Sequence, residues 1–367
     1  DAIGAHNVLS APEDLACHAF DGTFAEHRPD LVVLPTSTEA VSAVMQIAHR
    51  AGVPVVPQGM ASGLAAGCVP LSGGIALSLT RMDRILEIDR LNMTATAEAG
   101  VITADLQAQA EAVDLFYPPD PGSLKHSSLG GNVACNAGGP RCLKYGVTGD
   151  YVMGLEVVLP DGSVIAPGGR AARSSAGYDL THLFAGSEGT LGVITKANLR
   201  LLSLPRAHRT AMVACESIEQ AGDTVSEILA GGTLPAMIEF IPQMAIVAMN
   251  NYINPPLMTE GQAYLLIDLD GTEDEIKAQS HHILGICHKM GVMDIRVIKD
   301  EKEAETYWTA RSNLGAMLLT VMKKAINEDV AVPRDRIPEF VREIQGMAST
   351  LSKVVLGIGG HAGDGNM

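Results

Sequence analysis

Residues 117–146 read YPPDPGSLKHSSLGGNVACNAGGPRCLKYG, and residues 186–195 read GSEGTLGVIT. Glycine is frequent in both, and two nearby apolar runs, Leu155–Leu159 and Leu191–Thr195, predict strands. Glycine in strand-rich sequence usually marks a positive φ or a close approach of the backbone to another group. A loop-rich β region explains any one of these glycines. Three glycine clusters with Asn, Ser or Thr beside them favour a backbone cradle for a flat polar ligand.

The length and composition limit the classes of protein to consider. A chain of 367 residues predicts two domains. Although 47% of the residues are hydrophobic, no apolar run is long enough to predict a transmembrane helix. The net charge of -16 argues against a nucleic-acid partner. The six cysteines are scattered without a C-x-x-C pair, which fits a reducing, cytoplasmic compartment and argues against an iron–sulfur cluster.

The N-terminal half alternates short strands with helices. Leu31–Leu34 and Val53–Pro57 predict strands on either side of a helix that ends at Gly52, a βαβ-like opening. Residues 58–68, QGMASGLAAGC, follow directly, and a glycine-rich turn after a strand can aim backbone N–H groups at a phosphate. The glycine spacing does not fit the nicotinamide-binding G-x-G-x-x-G motif. Further short strands up to about Leu204 predict an α+β fold rather than a doubly wound parallel sheet.

The pattern changes near residues 205–209, where we place a domain junction. Beyond it we predict strands at 210–215, 237–240, 263–270 and 294–299, and helices at 218–229, 242–250, 273–290 and 301–319. This order favours an antiparallel sheet with helices on one face, ferredoxin-like in character. Helix 335–350 and strand 353–358 would lead back to the first domain. The predicted domains are residues 1–206 and 207–333, followed by a C-terminal segment, 334–367.

Two segments, SLGGNVACNAGGPRCLKYG at 128–146 and GSEGTLGVIT at 186–195, resemble the FAD-binding oxidoreductases of the vanillyl-alcohol oxidase type. The most similar branch contains the glycolate oxidase flavin subunit, D-lactate dehydrogenase and D-2-hydroxyglutarate dehydrogenase. The resemblance extends over residues 28–367. It implies a PCMH-type FAD-binding domain, built from two α+β subdomains, and a ferredoxin-like antiparallel-sheet cap domain for the substrate.

The resemblance also implies which residues hold FAD. They are Pro57, Gly59, Ser62, Gly63, Leu64, Pro119, Asp120, Ser123, Gly130, Gly131, Asn132, Asn136, Gly138, Glu188, Gly189 and Ile194. For the two asparagines, ordinary turn chemistry is the alternative. The family's phosphate loop is usually R-G-x-G-T-G-L, and here Gln58 replaces Arg and Ala61 replaces Gly. These departures suggest a tighter loop with one fewer charge on the pyrophosphate. Because the loop has no histidine, we expect non-covalent FAD.

The chain ends in GIGGHAGDGNM, where the family has G-H-x-G-D-G-N-x-H. His361 is the first histidine of that motif, and the second would fall just beyond Met367. In metal-dependent relatives these histidines bind a divalent ion, so the resemblance implies a zinc or manganese site at His361 in the full-length protein. We expect the C-terminal segment to be truncated, and a three-ligand catalytic site to be incomplete without the missing part. The alternative for His361 is a hydrogen-bonded loop histidine.

Arg311 is the candidate clamp for a substrate carboxylate. Its place in the predicted helix 301–319 matches the family's substrate arginine, and a guanidinium offers two parallel donors. The alternative is an exposed helical arginine paired with Glu303 or a neighbour. A Ser-His-Asp hydrolase is disfavoured because the sequence has no G-x-S-x-G motif.

The resemblance implies FAD-dependent oxidation of a small 2-hydroxy acid, of the glycolate or D-lactate class, by hydride transfer to flavin N5. His361 and Arg311 would be the catalytic residues. Electrons would pass to a separate acceptor, namely an iron–sulfur subunit, a quinone or an electron-transfer flavoprotein. Two alternatives stay open: a D-2-hydroxyglutarate dehydrogenase, and a catalytically silent flavin-binding subunit of a larger oxidase complex. A homodimer is one expected assembly, and any membrane attachment would be peripheral, through a partner.

Overall fold

The computed structural model describes residues 3–23, 25–173, 175–253, 256–257, 260–315, 317, 329–351 and 358–367. The chain divides into two compact units. The first consists of Asp1–Gly139 and Gly146–Leu204, and the second of Pro140–Tyr145 and Pro205–Met367.

Short strands and helices alternate along the described chain. The strands are β1 (Val8–Leu9), β2 (Leu31–Val33), β3 (Val55–Gln58), β4 (Ile75–Ser78), β5 (Ile85–Asp89), β6 (Thr94–Glu98), β7 (Leu115–Phe116), β8 (Val152–Val158), β9 (Val164–Ile165), β10 (Val193–Arg200), β11 (Leu202–Ser203), β12 (Ala207–Cys215), β13 (Met237–Pro242), β14 (Ala263–Gly271) and β15 (Asp294–Ile298). The helices are α1 (Pro12–Cys17), α2 (Thr38–Ala51), α3 (Thr103–Glu111), α4 (Leu129–Cys135), α5 (Cys142–Tyr145), α6 (Leu180–Phe184), α7 (Ile218–Ala230), α8 (Gln243–Asn250), α9 (Glu273–Lys289), α10 (Glu301–Ser312) and α11 (Ile337–Thr350).

The first unit contains two main sheets. β2 and β3 both run parallel to β4, and β1 pairs antiparallel with β2. Helix α2 connects β2 to β3: its buried residues Val41, Val44, Met45 and Ala48 recur at helical spacing, and Gly52 ends it with φ 64°. The second sheet is antiparallel, in the order β5-β6-β10-β8-β9. The two sheets and their helices confirm the predicted pair of α+β subdomains.

The second unit contains an antiparallel sheet in the order β13-β14-β12-β15. Val213 and Leu265 lie in one buried cluster with α7, α9 and α11, whereas Met212 and Leu266 lie in another with α8 and α10. The predicted antiparallel sheet is confirmed. The prediction that its helices cover one face is wrong, because successive strand residues point to opposite faces and both sets are apolar here.

The boundary between Leu204 and Pro205 lies close to the predicted junction at residues 206–207. The described residues of 334–367 group with the second unit. The predicted division at residue 333, and the return of the C-terminal segment to the first domain, stay predictions. Most of the predicted strand 353–358 lies outside the described residues. Among the helices that the structure describes, none is both long and apolar enough to cross a membrane.

Candidate functional site

The glycine-rich loop of residues 58–68 begins at the end of β3. Gln58 is buried, and its amide Nε2 donates to the carbonyls of His18 (3.0 Å) and Cys68 (2.8 Å), while its Oε1 lies 2.8 Å from His18 Nδ1. One side chain therefore joins the two ends of the loop. None of the N–H groups of residues 60–67 donates to another backbone carbonyl in the described part of the chain. These groups therefore have no backbone acceptor among the described residues and can serve an external one such as a phosphate.

Two departures from the family pattern lie in this loop. Gln58, which replaces the family's Arg, contacts backbone carbonyls within its own unit. Ala61, which replaces Gly, has a φ of 52°, in the left-handed region that favours glycine. Gly63 nearby is exposed, and a Cβ built there meets nothing within 4 Å. The expected loss of one charge at the pyrophosphate stays a prediction.

Ser128, the N-cap residue of α4, lies beside both the glycine-rich loop and the second glycine cluster. Its Oγ is buried and has no hydrogen-bond partner among the described residues. A Cβ on Gly59 would collide with this oxygen, and one on Gly131 would lie 3.3 Å from it. The Cβ of Gly59 would also lie 3.8 Å from the Cα of Gly131, so the two predicted segments meet here. An unpaired buried hydroxyl next to two glycines fits a polar ligand group at this place.

The third glycine cluster, residues 186–192, covers the end of α4. The N–H groups of Gly186 and Glu188 donate to carbonyls of that helix at 3.0 and 2.8 Å. Glu188 has a φ of 52° and Gly189 a φ of 75°. A Cβ on Gly189 would lie 3.3 Å from Pro57 Cγ, next to the start of the glycine-rich loop. The three segments predicted from the sequence are therefore neighbours in the first unit.

Asn132 and Asn136 both have partners inside the unit. Asn132 Nδ2 donates to Thr103 Oγ1 (2.5 Å), and Asn136 Oδ1 accepts from the N–H of Gly149 (2.7 Å). Asn136 also ends α4 with a φ of 48°, a conformation that Asn tolerates better than most residues. Turn and cap chemistry accounts for these contacts. Cofactor contact by either side chain stays a prediction.

The remaining predicted cofactor residues fall into a buried and an accessible set. Gly130 is buried, and a Cβ there would lie 2.6 Å from that of Ala99; Ile194 is buried in β10. Pro119 and Asp120 are also buried. The accessible set comprises Ser62, Gly63, Leu64, Ser123 and Gly138. The accessible residues suit direct contact with a ligand, and the buried ones suit a role in shaping the loops.

The two predicted catalytic residues lie in the second unit, around β13. Phe240 and Gly360 exchange backbone hydrogen bonds of 2.9 and 3.2 Å, which places Glu239 beside His361 on an antiparallel bridge. The Glu239 side chain is 0% exposed, and its Oε1 contacts His361 Nδ1. Its Oε2 lies 2.6 Å from Nη2 of Arg311, an ion pair by distance that lacks hydrogen-bond geometry, since Oε2 has no hydrogen-bond partner among the described residues. Sequence reasoning did not identify the acid that joins the two residues.

Arg311 lies in the last turn of α10 with its side chain 20% exposed. Glu303, the partner considered from the sequence, instead pairs with Arg296 and accepts from the Tyr307 hydroxyl (2.8 Å). Arg311 Nε is buried and has no hydrogen-bond partner within the described ranges. The alternative of an ion-paired arginine stays open, with Glu239 rather than Glu303 as the partner and with a side chain that is only partly exposed. A carboxylate clamp stays a prediction for the atoms that Glu239 leaves free.

The charge of His361 is set by its neighbours. Burial alone would lower the pKa of the imidazole, but the charge of Glu239 and the hydrogen bond to it raise the pKa above the ordinary value. Burial raises the pKa of Asp364. Among the residues that the structure describes, no group of three His, Cys, Asp or Glu side chains is placed to hold a metal ion. The possible zinc or manganese site, which the sequence assigned to the full-length protein, is therefore not supported by the described residues.

Close approaches explain the glycines around His361. A Cβ on Gly365, whose φ is 91°, would collide with the carbonyl of Val332, and one on Gly363 would collide with the side chain of Leu143. The N–H of Val332 donates to the carbonyl of Gly365 (3.0 Å). The motif therefore forms a tight turn that presents His361 to Glu239.

Comparisons with known proteins identify the family. Residues 29–167 match the family described as FAD binding domain, and residues 204–367 match FAD linked oxidases, C-terminal domain. The chain belongs to the FAD-linked oxidases and carries their FAD-binding domain. The family predicted from the two glycine-rich motifs is thereby confirmed.

The chain is similar to glycolate oxidase subunit GlcD of Bacillus subtilis, with 41% identity over 339 residues, 92% of this chain and 72% of that protein. It is 35% identical to D-lactate dehydrogenase of Anaerostipes hadrus over 354 residues, 94% of this chain and 74% of that protein. The structure of p-cresol methylhydroxylase with substrate bound superposes with a TM-score of 0.70 at 20% identity, over 85% of this chain and 67% of that one. This last likeness confirms the predicted PCMH-type fold.

Proposed function

We propose that this protein oxidises a small 2-hydroxy acid, of the glycolate or D-lactate class, to the 2-oxo acid with FAD as the hydride acceptor. One observation carries the proposal: Arg311 and His361 converge on the same buried carboxylate. A guanidinium binds carboxylates, and an imidazole transfers protons, so the pair suits a hydroxy-acid substrate. The names of the relatives, glycolate oxidase subunit and D-lactate dehydrogenase, support the same substrate class.

Residues of the first unit would hold the cofactor. The N–H groups of residues 60–67 and the hydroxyl of Ser128 would bind its polar atoms, and Gly59 and Gly131 would admit it at close range. When bound, FAD supplies a hydride acceptor at flavin N5. We propose non-covalent binding because residues 58–68 contain no histidine. Acid precipitation should leave the flavin in the supernatant, and flavin retained in the pellet would contradict this.

The second unit would bind and deprotonate the substrate. Arg311 would bind the substrate carboxylate with the donors that Glu239 does not use. Because Glu239 engages Nδ1 of His361, Nε2 is the ring nitrogen that would accept the hydroxyl proton. The carboxylate would then stabilise the imidazolium that forms, as its effect on the pKa of His361 indicates. No step of the proposal uses a metal ion.

The proposal is tested by anaerobic flavin reduction. The flavin-loaded protein is mixed with glycolate, D-lactate, L-lactate and D-2-hydroxyglutarate, with acetate as a control that has no hydroxyl group. Bleaching of the flavin by glycolate or D-lactate, but not by acetate, is expected. Reduction by D-2-hydroxyglutarate alone would shift the assignment to that substrate. A flavin that no acid reduces would contradict the proposal and favour a catalytically silent subunit.

The electron acceptor is a separate part of the proposal. The word subunit in the name of the Bacillus subtilis relative supports a partner in a complex, and an iron–sulfur subunit, a quinone and an electron-transfer flavoprotein are the candidates. We place the reaction in the cytoplasm, with any membrane association through that partner. Mixing the reduced protein with a quinone analogue, an electron-transfer flavoprotein or oxygen would rank the acceptors by their rates of reoxidation.

A further inference from the structure

We infer that Glu239 is a positioning residue of the reaction proposed above, because it holds the two side chains that would act on the substrate. The inference rests on that proposed function. Glu239 itself is fully buried, and each of its carboxylate oxygens faces a different cationic or ionisable group. It therefore acts through Arg311 and His361, without contact to the substrate.

The two held side chains come from elements that are distant in the sequence. Arg311 is on α10, His361 is in the C-terminal turn, and Glu239 is in β13. An arginine side chain has several rotatable bonds, so an anchor at Nη2 removes much of its rotational freedom. A carboxylate at Nδ1 of a histidine fixes the orientation of the ring and the nitrogen that carries the proton. One carboxylate thus sets the direction of both groups.

A neighbouring acid in the same sheet provides a matched comparison. Asp268 in β14 is buried like Glu239, accepts from the Thr210 hydroxyl (2.7 Å) and lies 3.3 Å from His208 Nδ1. It has the same type of histidine partner, but its partners are not the predicted catalytic residues. Loss of either carboxylate should disturb the fold to a similar degree, whereas loss of Glu239 alone should affect the chemistry.

The experiment compares Glu239→Gln and Asp268→Asn in the flavin-loaded protein. Loss of the carboxylate at residue 239 should lower the limiting rate of flavin reduction by about 10- to 100-fold, the range typical when a group that orients a functional histidine is lost. The concentration of 2-hydroxy acid that gives the half-maximal rate should also rise, because Arg311 is no longer held by the carboxylate. FAD content should match the wild type in both variants, and Asp268→Asn should keep the wild-type rate. Equal losses in the two variants, or a wild-type rate in Glu239→Gln, would overturn the inference.

Repeating the substitution in an Arg311→Lys variant separates a positioning role of Glu239 from a role in packing. Because Glu239 acts partly through Arg311, the effect of Glu239→Gln should shrink when Arg311 is already Lys. Strictly multiplicative losses in the double variant would count against the inference. If Glu239→Gln fails to fold, Glu239→Asp takes its place, because aspartate keeps the charge but is one methylene shorter. A wild-type rate and a wild-type half-maximal concentration in Glu239→Asp would reject the positioning role.

Failure of the proposed function has its own signature. If no 2-hydroxy acid reduces the wild-type flavin, the proposed function fails, and the Glu239 assignment is decided by nitrogen-15 NMR of histidine-labelled protein. The ring Nδ1–H of His361 should then be protected from exchange in the wild type and in Asp268→Asn, and lost in Glu239→Gln. An unchanged His361 signal in Glu239→Gln would overturn the assignment without reference to any substrate.

Discussion

Replacing Gln58 by Ala should weaken FAD binding more than it destabilises the fold. The side chain bridges both ends of the glycine-rich loop through two donated hydrogen bonds and a third contact to His18. The middle of the loop is attached separately, through the N–H of Gly22 to the carbonyl of Gly63 (2.9 Å). Removing the amide should therefore release the loop at Cys68, while the backbone of Gln58 stays paired in β3 and the middle of the loop stays attached. The N–H groups of residues 60–67 would then be held less firmly.

The size of the effect follows from the bonds that are lost. A protein hydrogen bond contributes about 0.5–1.5 kcal/mol net, so three give about 1.5–4.5 kcal/mol. If FAD binding has to restore the loop, its dissociation constant should rise by about 10- to 1000-fold, since 1.4 kcal/mol is tenfold. Titration of the apoprotein with FAD, followed by flavin fluorescence, measures this constant.

Gln220→Ala is the matched control for this experiment. Gln220 in the second unit also donates from Nε2 to two backbone carbonyls, those of Met290 and Gly291, both at 3.2 Å. The control should lower the melting temperature without changing FAD affinity. If Gln58→Ala binds FAD as tightly as the wild type while melting earlier, the bridge stabilises the fold and does not organise the phosphate loop.

Three further outcomes are expected. Gly131→Val should yield a folded chain that purifies with little FAD, because the new side chain would occupy space at the cradle; a full complement of flavin would make Gly131 a purely structural glycine. Arg311→Lys should keep its FAD but slow substrate reduction by about 1–3 kcal/mol in activation free energy, and an unchanged rate and affinity would reject the clamp. The hydrogen bond to Asp268 raises the pKa of His208, so this pair stabilises the fold below the ordinary histidine pKa and the contribution is lost as pH rises through the raised value. His208→Gln should flatten that part of the curve of unfolding free energy against pH, and an unaltered curve would show that the pair contributes nothing.

The glycine-rich segments of the candidate cofactor site could be picked out because glycine itself is visible in the sequence. The structure supplies a reason for some of these glycines, a positive φ at Gly189 and a close neighbour at Gly130. Contacts that depend on distant residues were not predictable. Gln58 departs from the family pattern, but its bonds to His18 and Cys68 depend on how the first unit folds.

The antiparallel sheet of the second unit shows a different limit of prediction from sequence. Its strands were predicted well because apolar runs bounded by turns mark strands. The prediction for its helices was wrong because an apolar run does not say whether one face of the sheet or both are covered. β14 is buried at nearly every position, and the uninterrupted apolar run AYLLI at residues 263–267 was itself the signal that helices cover both of its faces.

The sequence around Glu239 also indicates that this residue needs a partner. It stands between Ile238 and Phe240 in an apolar strand, where an unpaired buried carboxylate would be very costly. Such a residue requires cationic partners, and the sequence contains many arginines, lysines and histidines that could serve. The bridge between Phe240 and Gly360 and the position of α10 decide which of them become its partners. Both depend on contacts between residues that are far apart in the chain. The sequence therefore indicates that Glu239 must be paired, and the fold shows that its partners are the two side chains proposed to bind and deprotonate the substrate.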